Sequence, residues 1–133
     1  MNISINDIRL LKSDFEVNFE ANEPFDGNIP IEIKCRASFV EEKRSFRFVQ
    51  NISCAKGNYP FVFHIEYGAE FILSEVPSDN ERNRLCKVNF PAIIFPFIRE
   101  YIADITRRAG LKPLVIDPQN FAANIEKEQK DSA

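Results

Sequence analysis

Few side chains in this sequence are of types that do chemistry, and their spacing assigns them none. His64 is the sole histidine, and no Ser, Cys or Asp is set beside it by local spacing to make a nucleophile and base pair. Glu66 and Glu70 share one face of a predicted strand, where a carboxylate pair would need an enclosed site; an alternating strand instead presents such charges to water. Cys35, Cys54 and Cys86 are odd in number and lack CxxC spacing. With one histidine they support neither a disulfide framework nor a common zinc site. Cys35 and Cys54 fall on the apolar phase of their strands, which predicts buried, reduced thiols. The four glycines, Gly27, Gly57, Gly68 and Gly110, are isolated, so no phosphate-cradling loop is present. The expectation is a protein without cofactor, metal or catalytic residue, and therefore not an enzyme.

The elements that would position these residues are strands first and helices last. Phe61, Phe63, Ile65, Tyr67, Phe71 and Leu73 alternate with His64, Glu66 and Glu70, the period of a strand with one buried face. Ile31, Ile33, Cys35, Ala37 and Phe39 repeat the pattern against Glu32, Lys34, Arg36 and Ser38, and Glu41 to Arg44 forms a polar turn after them. Phe46, Phe48, Ile52 and Cys54 make a third strand, with Lys56, Gly57 and Asn58 as turn residues into the next. In the first segment Ile3 and Ile5, then Ile8 and Leu10, then Phe15, Val17 and Phe19 alternate with slips of phase, which predict bulges. Ala21 to Pro30 reads as a loop crossing to another position in the sheet.

After Ser74 the pattern changes. Pro77 to Arg84 reads as a charged loop, and from Phe90 a helix carries Ile94, Ile98, Tyr101, Ile102 and Ile105 on one stripe. Gly110 is its predicted stop, Arg107 and Arg108 oppose the negative end of the dipole, and Asp104 pairs with Arg108. Pro96 belongs in a first turn or at a kink. Pro113 breaks the chain, and Asp117-Pro118 reads as N-cap and first residue of a shorter helix carrying Phe121 and Ile125. The predicted fold is α+β: a four-stranded antiparallel sheet followed by one long and one shorter helix, as a single domain over residues 1–133.

Composition narrows the partners. A chain of 133 residues and 44% hydrophobic content builds one ordinary core, yet 13 phenylalanines exceed what it easily hides. The surplus predicts either an oligomer interface or an apolar groove, with oligomerisation the larger share. A net charge of −3, with Lys43-Arg44 and Arg107-Arg108 beside acids, argues against nucleic acid. No apolar run approaches a membrane span and the amino terminus lacks a signal-peptide layout, so no membrane insertion and a cytoplasmic location are expected.

The stretch from Asn89 to Phe121, NFPAIIFPFIREYIADITRRAGLKPLVIDPQNF, resembles the carboxyl-terminal half of the SecB family of protein-export chaperones. Phe95-Pro96, Arg99-Glu100, Pro113, Leu114, Pro118, Asn120 and Phe121 carry the likeness, although Pro113 directly precedes Leu114, one residue shorter than the family's step. The resemblance implies an ATP-independent holdase: a homotetramer, a dimer of dimers, whose apolar grooves hold unfolded preproteins and whose acidic sheet residues dock the SecA translocation motor. Glu16 matches one docking position, but Lys12 and His64 occupy two others, and the tail after Phe121 is short. Protection of an antitoxin by a SecB-like chaperone in a toxin-antitoxin system is the alternative. A small enzyme or ligand binder is a third reading and would need convergent polar groups in a pocket. From the surplus of apolar side chains, Phe97, Tyr101, Leu114, Ile116, Phe121 and Ile125 are the expected client-binding residues.

Overall fold

The computed structural model describes residues 1–21, 29–54, 57 and 59–123. Four strands, β1 (Ile3–Val17), β2 (Ile31–Val40), β3 (Ser45–Cys54) and β4 (Phe61–Leu73), form one antiparallel sheet in the order β1-β4-β3-β2. The segment after β1 therefore does cross the sheet: β1 pairs with β4, leaving β1 and β2 as the two edges. The phase slips of β1 are register shifts between Asn6 and Arg9 and between Leu10 and Lys12, with Asp7 in the left-handed region at φ 52°. Asp tolerates that conformation better than most residues because its short side chain bonds locally. Within the predicted turn after β3 only Gly57 is described; Lys56 and Asn58, like most of the crossing loop, lie outside the described residues.

The helical half departs from the predicted layout at its start. Where the sequence reads as a charged loop, a helix α1 (Asp79–Arg84) begins, continues through a single widened π-helical turn (Leu85–Asn89) and runs on as α2 (Phe90–Arg108). The start is a capping box: Ser78 Oγ accepts from the Glu81 amide at 3.2 Å and Glu81 Oε1 accepts from the Ser78 amide at 3.0 Å. The wide turn sits immediately before Pro91, whose ring would press on the carbonyl four residues back in a regular α-helix. At the other end Ala109 is the C-cap and Gly110 takes φ +81°, the left-handed stop that glycine adopts at little cost.

The long helix covers one face of the sheet. Phe90 is the centre of that contact: its ring stacks on Phe71 at 4.0 Å and meets Phe46 and Phe48 edge-on at 5.2 and 5.7 Å. Ile94, Ile98 and Ile102 follow it down the stripe, all fully buried against the inner residues of β3 and β4. Asp104 Oδ2 and Oδ1 accept from Arg108 and Arg107, each at 2.7 Å. The connector after Gly110 is drawn onto the core by two polar ties. Thr106, itself buried, accepts from the Leu114 amide at 2.9 Å, and Arg99 Nε donates to the Ile116 carbonyl. The shorter helix starts at Phe121, three residues later than predicted, because Asn120, not Asp117, is the cap: its Oδ1 accepts from the Ala123 amide at 3.0 Å.

Candidate functional site

A recess of about 580 Å³ lies along the inner side of edge strand β2. Its floor is the apolar row Ile31, Ile33, Cys35 and Ala37, backed by Phe48. Because no strand among the described residues lies beyond β2, these inward-pointing residues stay partly uncovered. One wall is the π-turn and the start of α2, contributing Cys86, Lys87 and Pro91. The end is closed by Gln119 and Phe121, the Phe121 ring meeting Phe95 edge-on at 5.9 Å.

The expected client-binding residues do not converge on one place. Phe121 lines the β2 groove. Phe97 and Tyr101 lie on another surface of the helix, with Tyr67, Pro113 and the charged Glu100, Asp104 and Arg107. There Tyr101 shares a 2.7 Å hydrogen bond with Ser13 and its ring meets Tyr67 at 6.0 Å. Leu114 and Ile116 are core residues, held inward by Thr106 and Arg99. Ile125 lies outside the described residues. Sequence reasoning missed the floor residues Ile31 and Ile33 as site residues, since alternation reports a buried face but not that its strand is an edge. It also missed Cys86, Lys87 and Pro91.

Of the two thiols expected to be buried, one is and one is not. Cys54 is buried, its Sγ accepting from the Phe63 amide, but Cys35 is an exposed residue on the sheet edge. Although much of the Cys35 surface is open along that edge, the groove walls desolvate its thiol and push it up to about 11; burial also raises Cys86. Beside Cys35 in register is Gln50, fully buried, whose amide nitrogen and oxygen both lack a hydrogen-bond partner among the described residues. The carboxamide is near enough to influence the Cys35 thiol without the geometry of a hydrogen bond.

The outer sheet face carries mixed charge. Lys12 pairs with Asp14 at 3.4 Å, and Glu66 Oε1 is 3.3 Å from His64 Nε2 and 3.4 Å from Arg36 Nη1. Desolvation works to raise Glu66, but the hydrogen bonds from His64 and Arg36 outweigh it and hold the carboxyl below its usual range. Glu16 is exposed at the Val62 end of this face. His64 thus touches a carboxylate on an open surface and not in an enclosed pocket, so the geometry for a general base acting on a bound substrate does not arise there.

Comparison with known proteins places the architecture. The family described as "Preprotein translocase subunit SecB" matches residues 12–132. The chain is 34% identical over 98 residues to the protein-export protein SecB of Azorhizobium caulinodans, covering 74% of this chain and 61% of that protein. It is 33% identical over 108 residues to the same protein of Beijerinckia indica, covering 80% and 67%. The chain thus spans roughly three-fifths of the length of the Azorhizobium relative. In fold it is similar, with a TM-score of 0.74 at 24% identity, to the Mycobacterium tuberculosis Rv1957 SecB-like chaperone solved with a ChAD peptide from the Rv1956 HigA1 antitoxin, over 89% of this chain and 91% of that one. A family match that runs through both the sheet and the helices means that this chain belongs to the SecB family.

Proposed function

We propose that the protein is an ATP-independent holdase that binds extended apolar segments of unfolded polypeptides. The observation that carries this reading is the apolar groove along the free edge strand β2. A groove of this kind takes side chains of an extended chain on alternate positions, while the backbone of β2, unpaired on its outer edge among the described residues, offers hydrogen bonds to its main chain. Binding is then driven by burial at roughly 25 cal/mol per Å² of apolar surface, multiplied where several grooves hold one client. A homotetramer in the cytoplasm is part of the proposal, supported by the exposed apolar residues Ile3, Ile5, Leu10 and Leu11 on edge strand β1. Among the described residues no helix is long and apolar enough to cross a membrane.

For the partner, preproteins for export and an antitoxin remain two readings, and the outer sheet face favours the second. With Lys12 paired to Asp14 and His64 bound to Glu66, the face lacks the acidic set that would dock the SecA motor, leaving Glu16 as the matched position. Light-scattering mass after size exclusion, with a slowly folding client added unfolded or folded, tests the holdase. A four-chain particle that retains only the unfolded client is the expected result. A protein indifferent to unfolded chains would leave the fold without this function. Titration of SecA against wild type and Glu16→Lys separates the two partner readings, equal binding by both removing Glu16 from any docking role.

A further inference from the structure

Two of the three cysteines line the β2 groove, Cys35 from its floor and Cys86 from its π-turn wall. The strand and the π-turn approach each other with Cα atoms within 8 Å, and charge on the Cys86 sulfur is felt at Cys35. A disulfide joins Cα atoms about 4.4–6.8 Å apart, so the two elements stand close to bridging distance. The element free to close the remaining gap is β2, an edge held by β3 alone among the described residues. Cys54 does not line the groove; it is buried and accepts from the Phe63 amide. Client holding asks only that the groove be apolar, so it leaves the thiols of Cys35 and Cys86 without a role.

We infer, within the holdase reading on which this rests, that Cys35 and Cys86 are a modification site for small-molecule disulfides, and that the bridge formed between them closes the groove to extended chains. The Cys86 thiolate, its proton given to water, attacks one sulfur of the reagent and the first small thiolate leaves. The Cys35 thiolate then attacks the Cys86 sulfur of the mixed disulfide and the second small thiolate leaves, each leaving group taking up a proton. The pair loses two electrons and the reagent is reduced to two thiols. Burial raises both thiols, Cys35 to about 11, and the Arg82 charge partly offsets it at Cys86, which makes Cys86 the first attacker. With so little thiolate the pair reacts slowly, and under reducing conditions the groove rests open. The bridge draws the edge strand onto the helical wall, across the space that a client side chain would enter.

The test exposes the reduced full chain to oxidised glutathione, removes the reagent, and maps the linkages by mass spectrometry of unreduced peptides. Affinity for a fluorescent Phe/Leu-rich peptide is read by anisotropy before oxidation, after it, and again after dithiothreitol. Wild type is expected to carry an intramolecular link between Cys35 and Cys86 with Cys54 still free. It should then bind about tenfold more weakly, the worth of about one large apolar side chain kept out of the groove, and recover on reduction. The double variant Cys35→Ser, Cys86→Ser should show one affinity before and after oxidation. Glutathione adducts without the Cys35 to Cys86 link, a link that leaves the affinity unchanged, or an equal loss in the double variant would overturn the inference while leaving the holdase intact. The first two outcomes are read on wild type alone and do not depend on how well the double variant folds. If reduced wild type bound neither the peptide nor an unfolded client, the holdase reading would fall and the closing of the groove with it, although the link itself would still be read by mass.

Discussion

Thr106→Val isolates the tie between the long helix and the connector. The hydroxyl donates to the Ile102 carbonyl at 2.8 Å and accepts from the Leu114 amide at 2.9 Å, in a fully buried position. The Ile102 carbonyl sits in the helix ladder and keeps that partner, so little is lost on the donor side. The Leu114 N–H is the group left bare, and a buried donor without an acceptor costs about 1–3 kcal/mol. Valine matches threonine in shape and nearly in helix propensity, so neither a cavity nor a propensity effect competes with that figure. For a domain of this size the loss corresponds to a fall in Tm of about 4–10 °C, measured at fixed protein concentration. The site-specific readout is amide exchange at Leu114, which should accelerate in Thr106→Val and stay slow in Thr106→Ser. A valine variant that melts within about 1 °C of wild type, with Leu114 still protected, would refute the claim that this hydroxyl holds the connector down.

Glu66→Gln reads the outer face. Its carboxyl is depressed in the fold, so the stability it contributes is present above the unfolded carboxylate pKa and is lost as pH falls through the lower folded value. The variant should be less stable than wild type by about 0.5–1 kcal/mol at neutral pH, and the gap should close as pH falls through the depressed folded pKa, in denaturant titrations across that range. A gap that stays constant with pH would reject the ion-pair account. Gly110→Ala tests the helix stop: at φ +81° a Cβ meets nothing within 4 Å but the backbone conformation itself disfavours it, so a loss of about 1 kcal/mol is expected, and a more stable variant would contradict it.

Strands were legible because their signal is doubled. Each of β2, β3 and β4 alternates, and the large members, Phe46, Phe48, Phe61, Phe63 and Phe71, are the ones that are buried. Even the slips in β1 could be read, since a bulge changes phase by one residue. The start of the long helix was hidden for the opposite reason. Residues Asp79 to Arg84 bury nothing, so they show no stripe, and only Ser78-x-x-Glu81 betrays the cap. Leu114 and Ile116 looked like surplus apolar groups for a client because the ties that pull them inward, from Thr106 and Arg99, join residues 8 and 17 positions apart and leave no local pattern. Cys35 and the groove floor depended on which strand is an edge. That is set by the crossing of β1 to β4, and alternation along a strand carries no information about its neighbours.

The wide turn at Leu85–Asn89 makes the groove and the core separately adjustable. Every residue before it is carried around the helix axis by one extra position, about 100° of rotation, relative to an unbroken α-helix. Loss of a single residue there would restore α-helical winding and swing Arg82 to a new azimuth above β2, while Phe90, Ile94, Ile98 and Ile102 kept their places. A one-codon deletion would thus re-decorate the helical side of the recess without disturbing the packed stripe below it. Few point substitutions shift several wall residues together, and this helix allows it through its length alone.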